Sequence, residues 1–186
     1  MLKTLKAYGF LLLLGGGVVA LDQAAKAWVR SHLPFGTGWT PIPSLPWLQI
    51  IHWKNHGMAF GLGQEWGTLF LALGALYVLG VLIAFPALSN TGWWVRWGMA
   101  IQWGGALGNL IDRWQQGYVT DFIAVKMQHF PVFNLADAAI SISVVFLLAG
   151  EFFANRDEQE NAPETGTPAA EVLPAAAPSP ETPHDP

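Results

Sequence analysis

Residues 67 to 85 read GTLFLALGALYVLGVLIAF, a run with no charge, no proline and apolar or small side chains at almost every position. A bilayer core needs about 20 helical residues to cross it, so this stretch predicts a membrane span. Working outward, three more runs of similar length appear at about 8 to 28, 93 to 111 and 135 to 154. Their few charges stand near the ends: Asp22 and Lys26 late in the first, Arg96 early in the third, Asp137 early and Glu151 late in the fourth. Charges are costly at the bilayer centre and tolerable near its surface. Trp28, Trp66, Trp93, Trp94 and Trp114 lie at or beside the predicted ends, where an indole keeps its N–H wet and its rings in lipid. Gly104 and Gly108, four apart, let the third helix approach a neighbour closely.

Composition agrees. Of 186 residues 52% are hydrophobic and 12% charged, with ten Trp, a balance unlike that of an average soluble domain. With no Cys, disulfides, thiol nucleophiles, Cys-ligated metals and lipid attached to the chain's own cysteine are excluded. The formal charge of −4 hides a division, because Asp157, Glu158, Glu160, Glu164, Glu171, Glu181 and Asp185 all lie beyond residue 156, with no Lys or Arg among them. Residues 1 to 156 hold nine basic and six acidic side chains and are read as one four-span membrane domain. Residues 157 to 186, rich in Pro and Ala, are read as a disordered cytoplasmic extension without a catalytic role.

Lys3 and Lys6 before the first apolar run imitate a signal peptide, but the run continues into Asp22 and Lys26 and is read as a retained helix. Basic residues at its start favour a cytoplasmic N-terminus. Four spans then place the C-terminus inside as well, and residues 29 to 66 and 112 to 134 outside. Within the first outer connection, WLQIIHW (47 to 53) follows Pro41, Pro43 and Pro46 and predicts a small extended platform. In the second, VTDFIAVKMQHFPVF (119 to 133) reads as an interfacial segment.

This topology brings Asp22, Asp112, Asp121 and Asp137 to one membrane face, where ionisable groups at depth point to function. A purely structural ion network is the competing reading. Asp22 and Lys26 are four apart and can pair on one helix face, which suits structure or substrate positioning. Arg113 follows Asp112 at a helix C-terminus, either holding that carboxylate charged or donating to substrate carbonyls. Asp121 and Asp137 have no neighbouring cation in sequence. They are the best candidates for two carboxylates sharing a proton, one activating water while the other stays an acid. His52 and His56 share a zinc-like spacing but lack an accompanying glutamate, and HWKNHG reads as extended, so no metal site is expected. No serine stands in a nucleophile motif.

DQAAK (22 to 26), NHGMAFG (55 to 61), GGALGNLIDRWQQGYVTDF (104 to 122) and FNLADAAI (133 to 140) together resemble the lipoprotein signal peptidases. The resemblance covers about residues 8 to 154. It implies an all-α membrane protein with four transmembrane helices, a small β-rich periplasmic cradle and a short interfacial periplasmic helix. By motif, the family's catalytic acids fall on Asp121 and Asp137. Its supporting residues fall on Asp22, Lys26, Asn55, Asn109, Asp112, Arg113 and Asn134. The implied reaction is cleavage of a prolipoprotein just before a diacylglyceryl-modified cysteine, at the outer face of a bacterial inner membrane. The implied partners are that precursor and membrane lipids, with no cofactor, metal or nucleic acid, and the enzyme is expected to act as a monomer. Without the resemblance, a proton-coupled transporter or a noncatalytic lipoprotein assembly factor would share these features. The absence of a paired repeat or a broken helix counts against the transporter.

Overall fold

The computed structural model describes residues 1–57, 63, 66–127 and 130–160. Each apolar run forms a long helix: α1 over Leu2–His32, α2 over Gly67–Ala84, α3 over Trp93–Gln116 and α4 over Leu135–Glu160. α1 extends beyond the expected span at both ends, and α4 continues past residue 154 to Glu160, into the acidic segment. A 3-10 helix over Phe85–Asn90 turns the chain between α2 and α3. Residues 161–186, which hold most of the expected extension, lie outside the described residues.

Among the described residues three helical segments are long and apolar enough to cross a membrane: Leu2–His32, Gly67–Leu88 and Leu135–Phe153. α3, expected as a span, is not one of them. It packs against α1, α2 and α4, and that central place lets it carry Gln102, Asn109, Asp112 and Arg113. Outside the bundle, Leu13, Leu21, Leu76, Ile83, Val145 and Leu148 are exposed, as expected where the surrounding solvent is lipid.

Two glycine contacts explain the close approach. A Cβ on Gly104 would lie 2.5 Å from the Gly15 carbonyl oxygen of α1, and one on Gly108 would lie 2.6 Å from Asp22 Oδ2. On the facing side, a Cβ on Gly105 would lie 2.6 Å from the Ala136 carbonyl oxygen of α4. The small-residue stripe of α3 is thus two-sided, seating α1 on one flank and α4 on the other.

The core divides by polarity along α1. Ala7 and Leu11 join Val78, Val81, Phe85, Ala100 and Trp103 in an apolar cluster, where Trp103 Nε1 donates to the Val78 carbonyl at 3.0 Å. Further along the same face of α1 come Asp22 and Lys26, both fully buried. Polar chemistry is therefore gathered at one end of the bundle.

That end carries a three-stranded antiparallel sheet in the order β1-β2-β3, with β1 over Gly38–Trp39, β2 over Leu48–Asn55 and β3 over Val119–Val125. The extended platform expected around WLQIIHW is β2. β3 corrects the reading of residues 119 to 133 as merely interfacial: Val, Ile and Phe suit a pleated strand, and β2 supplies the backbone partners. No short outer helix occurs among the described residues. Residues 58–62, 64, 65, 128 and 129 of the two outer connections lie outside that description.

Candidate active site

β3 and the start of α4 set the two candidate acids. Asp121 pairs with Trp53 in the ladder and Asn55 with Val119, so Asn55 is the diagonal neighbour of Asp121 on one face of the sheet. Between Ile50 and Trp53 the register slips by one residue, a bulge beside the site. Asn55 Nδ2 donates to Asp121 Oδ2 at 3.0 Å, and Asn134 Nδ2 donates to Asp121 Oδ1 at 2.7 Å. Asn134 immediately precedes α4. Its Oδ1 accepts from the Asp137 backbone N–H at 2.9 Å, while Asp137 Oδ2 accepts from the Asn134 N–H at 3.3 Å. This reciprocal capping box holds Asp137 in the first turn, where a carboxylate also favours the helix dipole.

A hydrogen-bonded bridge joins the acids. Lys26 Nζ, which can only donate, reaches Asn109 Oδ1 at 2.9 Å. That contact fixes which end of the Asn109 amide faces which neighbour, so Nδ2 points the other way and donates to Asp137 Oδ1 at 2.8 Å. Asn109 Oδ1 also accepts from Asn134 Nδ2 at 3.2 Å. The order is Asp121, Asn134, Asn109, Asp137, with the buried lysine setting the polarity of the chain.

Beneath it lies a second tier. Lys26 Nζ stands 2.9 Å from Asp22 Oδ2 and 3.3 Å from Asp112 Oδ2, all three side chains being fully buried. Asp22 Oδ1 accepts from the Ala136 N–H at 3.0 Å, one of the free donors at the start of α4. Asp112 accepts from the Thr120 N–H at 2.9 Å and from Gln23 Nε2 at 3.1 Å, and Arg30 Nη1 lies 3.4 Å from it. Two carboxylates thus face two cations, and each has hydrogen-bond donors of its own.

Asp22 and Lys26 pair as their spacing predicted. The pairing of Asp112 with Arg113 is corrected: successive helical positions diverge by about 100°, and Asp112 turns to Lys26 and Arg30. Arg113 Nη2 donates instead to the Gly57 carbonyl at 3.0 Å. Gln23, Arg30 and Thr120 were missed by sequence reasoning. Arg30 was findable, since it follows Lys26 by four residues; the Thr120 backbone contact depends on β3 and had no local signal. His52 and His56 separate: His52 Nδ1 is 2.8 Å from the Leu33 carbonyl, and the His56 ring packs 5.5 Å from Tyr118.

A cavity of about 640 Å³ opens over this polar end, lined by Asn55, Asn109, Arg113, Asp137 and the apolar Val119, Phe130 and Ile140. Asp137 is partly exposed to it. Asp121, 1% exposed, lies behind the lining and meets it through Asn55. Burial and the nearby Asp137 charge push the Asp121 carboxyl up to about 7, against the hydrogen bonds of Asn55 and Asn134 and the Lys26 charge. Near neutral pH the Asp121 carboxyl is therefore poised between its protonated and ionised forms, which suits it to acid and base work.

Residues 13–153 match the family described as Signal peptidase (SPase) II. A protein of Bartonella tribocorum named lipoprotein signal peptidase is 36% identical over 147 residues, covering 75% of this chain and 85% of that one. One of the same name from Caulobacter vibrioides is 40% identical over 148 residues, covering 75% and 84%. Among solved structures, a bacterial membrane enzyme determined by the in meso method at 2.3 Å resolution superposes with a TM-score of 0.70 at 27% identity, covering 86% of this chain and 94% of that one. Both the fold and the stretch holding the four aspartates fall within these matches, and the chain belongs to the signal peptidase II family.

Proposed function

We propose that this chain is a membrane aspartic peptidase that removes the signal peptide of lipoprotein precursors, cutting just before a cysteine that bears a diacylglyceryl thioether. The reading is carried by one observation: Asp137 lines a cavity that mixes polar and apolar side chains, and Asp121 stands just behind that lining, joined to Asp137 through Asn134 and Asn109. Relatives named lipoprotein signal peptidase support it.

In this reaction the ionised member of the pair takes a proton from water as the water oxygen attacks the scissile carbonyl carbon. The protonated member donates to the carbonyl oxygen. Collapse of the tetrahedral intermediate breaks the C–N bond, and a proton passes to the departing amine. The products are a signal peptide with a new carboxylate and a lipid-bearing cysteine with a free amine. Asn55, Asn109 and Asn134 hold the carboxylates in place, and Arg113 is a donor for substrate carbonyls beside Gly57. Lipid chains left in the bilayer, with the scissile bond at its surface, supply orientation and local concentration. The same reading takes α3 as a fourth span, with both termini cytoplasmic and the sheet at the outer face of a bacterial inner membrane.

Single-turnover cleavage of a lipidated precursor peptide tests the assignment. Asp121→Asn or Asp137→Asn should slow the step by about 10²- to 10⁴-fold. The double variant should be scarcely slower than either single one, because the two acids act as a unit. Near wild-type cleavage by either single variant would sink the pair.

A further inference from the structure

α1 continues past Asp22 and Lys26 to His32, where its last turns lie against the sheet. One side chain there reaches β3: Arg30 Nη1 donates to Thr120 Oγ1 at 3.2 Å. Thr120 is fully buried and immediately precedes Asp121. Its N–H donates to Asp112 Oδ2 at 2.9 Å, and the same Arg30 nitrogen lies 3.4 Å from Asp112 Oδ1. The hydroxyl of Thr120 is thus held from α1 and its amide from α3.

The distances decide what Arg30 does. Charge-assisted N–H···O contacts to a carboxylate are typically about 2.7–2.9 Å, so at 3.4 Å the contact of Arg30 with Asp112 is loose. Asp112 also has Lys26 Nζ at 3.3 Å, Gln23 Nε2 at 3.1 Å and the Thr120 N–H at 2.9 Å, and it keeps a cation and two neutral donors without Arg30. The shorter reach of Arg30 is to the Thr120 hydroxyl. Successive residues of a strand turn to opposite faces. Holding Thr120 on the side of α1 and α3 therefore fixes the frame from which Asp121 reaches Asn134 and Asn55 on the other side. We infer that Arg30 is a positioning residue, which sets the Asp121 carboxylate by gripping the Thr120 hydroxyl beside it. The role rests on the peptidase reading. Neither Arg30 nor Thr120 is among the described residues that line the cavity over the acids, so their effect falls on the chemical step and not on substrate binding.

The test breaks this one contact from each side. Thr120→Val keeps the branching of the side chain and removes only the acceptor; Arg30 is 24% exposed, so no buried charge is stranded. Arg30→Met removes the donor. Each should lower kcat for a lidless comparison of the same lipidated precursor peptide roughly 10- to 100-fold, the upper figure being what a misplacement of about 1 Å costs, with KM little altered. The two together should be no slower than either, because both break the same contact. Thr120→Ser restores the hydroxyl and should recover most of the rate. In an Asp121→Asn background Thr120→Val should cost nothing further, since the contact acts only through that carboxylate. If Arg30→Met does not fold, the Thr120 variants carry the test alone.

An unchanged kcat in folded Thr120→Val would overturn the role, as would a loss confined to KM. Failure of Thr120→Ser to recover rate would assign the loss to packing. Losses that multiply in the Arg30→Met, Thr120→Val double variant, or a Thr120→Val loss that persists undiminished beside Asp121→Asn, would reduce the contact to a tie within the bundle. Failure of wild type to cleave the peptide would overturn the peptidase reading, and the role of Arg30 with it.

Discussion

Replacing Lys26 by Met tests whether the lower tier holds the bundle together. Lys26 Nζ has three acceptors, at 2.9, 2.9 and 3.3 Å, and no exposure. One such contact is worth about 5 kcal/mol of gross Coulomb attraction at an effective dielectric constant of about 20. Desolvation offsets much of this. What remains on removal is the cost of stranding the partners: Asp22 keeps only N–H donors, and Asp112 keeps Arg30, itself 24% exposed. Breaking a buried pair in this way costs about 3–5 kcal/mol. For a chain of this size that lowers the melting temperature by about 6 to 20 °C, followed through tryptophan fluorescence in detergent. Adding Asp22→Asn removes one stranded charge, so the double variant should be less damaged than the two single losses summed, by about 1–3 kcal/mol. A melting temperature within about 2 °C of wild type, or strictly additive losses, would refute the reasoning.

Three other outcomes follow from the same geometry. Because the Asp121 carboxyl titrates at about 7, its proton is present below that pH and lost above it, so kcat/KM should fall as pH rises through about 7; a profile level up to about pH 9 would contradict a role for that proton. Gly104→Ala should cost about 1–3 kcal/mol, since its Cβ meets the Gly15 carbonyl at 2.5 Å, whereas Gly80→Ala, with nothing within 4 Å, should be neutral or stabilising in the same melts. A cysteine at the exposed Thr37, in a chain with no other, should react with an impermeant maleimide in intact spheroplasts; labelling only after lysis would invert the topology.

What the sequence disclosed was what acts locally. The charge-free run at 67 to 85 located α2, and the four-residue spacing of Asp22 and Lys26 was enough to predict their pairing. The convergence of the aspartates was legible too, because helix ends alternate between faces and each acid lies at or just beyond an end. Hidden were the contacts made by distant strands. β3 was unreadable as a strand because its hydrophobic residues run without alternation, buried over Val119–Phe122 where neighbouring elements cover it. With β3 unseen, neither the Thr120 N–H on Asp112 nor the diagonal placement of Asn55 against Asp121 could be foreseen. Arg113 misled for a simpler reason: adjacency in sequence is divergence on a helix.

The two tiers differ in charge, and that difference sets their roles in the proposed mechanism. Below, Asp22 and Asp112 face Lys26 and Arg30, so each carboxylate has a fixed cation beside it. Above, Asp121 and Asp137 are bound by neutral amides, and Arg113 has a donor committed to the Gly57 carbonyl. Neutral donors stabilise a carboxylate but do not cancel its charge, so the upper pair meets its electrostatic deficit with a proton. A proton held for that reason is mobile, whereas an ammonium is not. Exchanging the deficit for a fixed cation, as in Asn55→Lys, should therefore ionise both acids, lower the Asp121 titration and abolish cleavage while the fold persists. A variant that kept both its alkaline limb near pH 7 and its activity would show that the proton is not standing in for a missing positive charge.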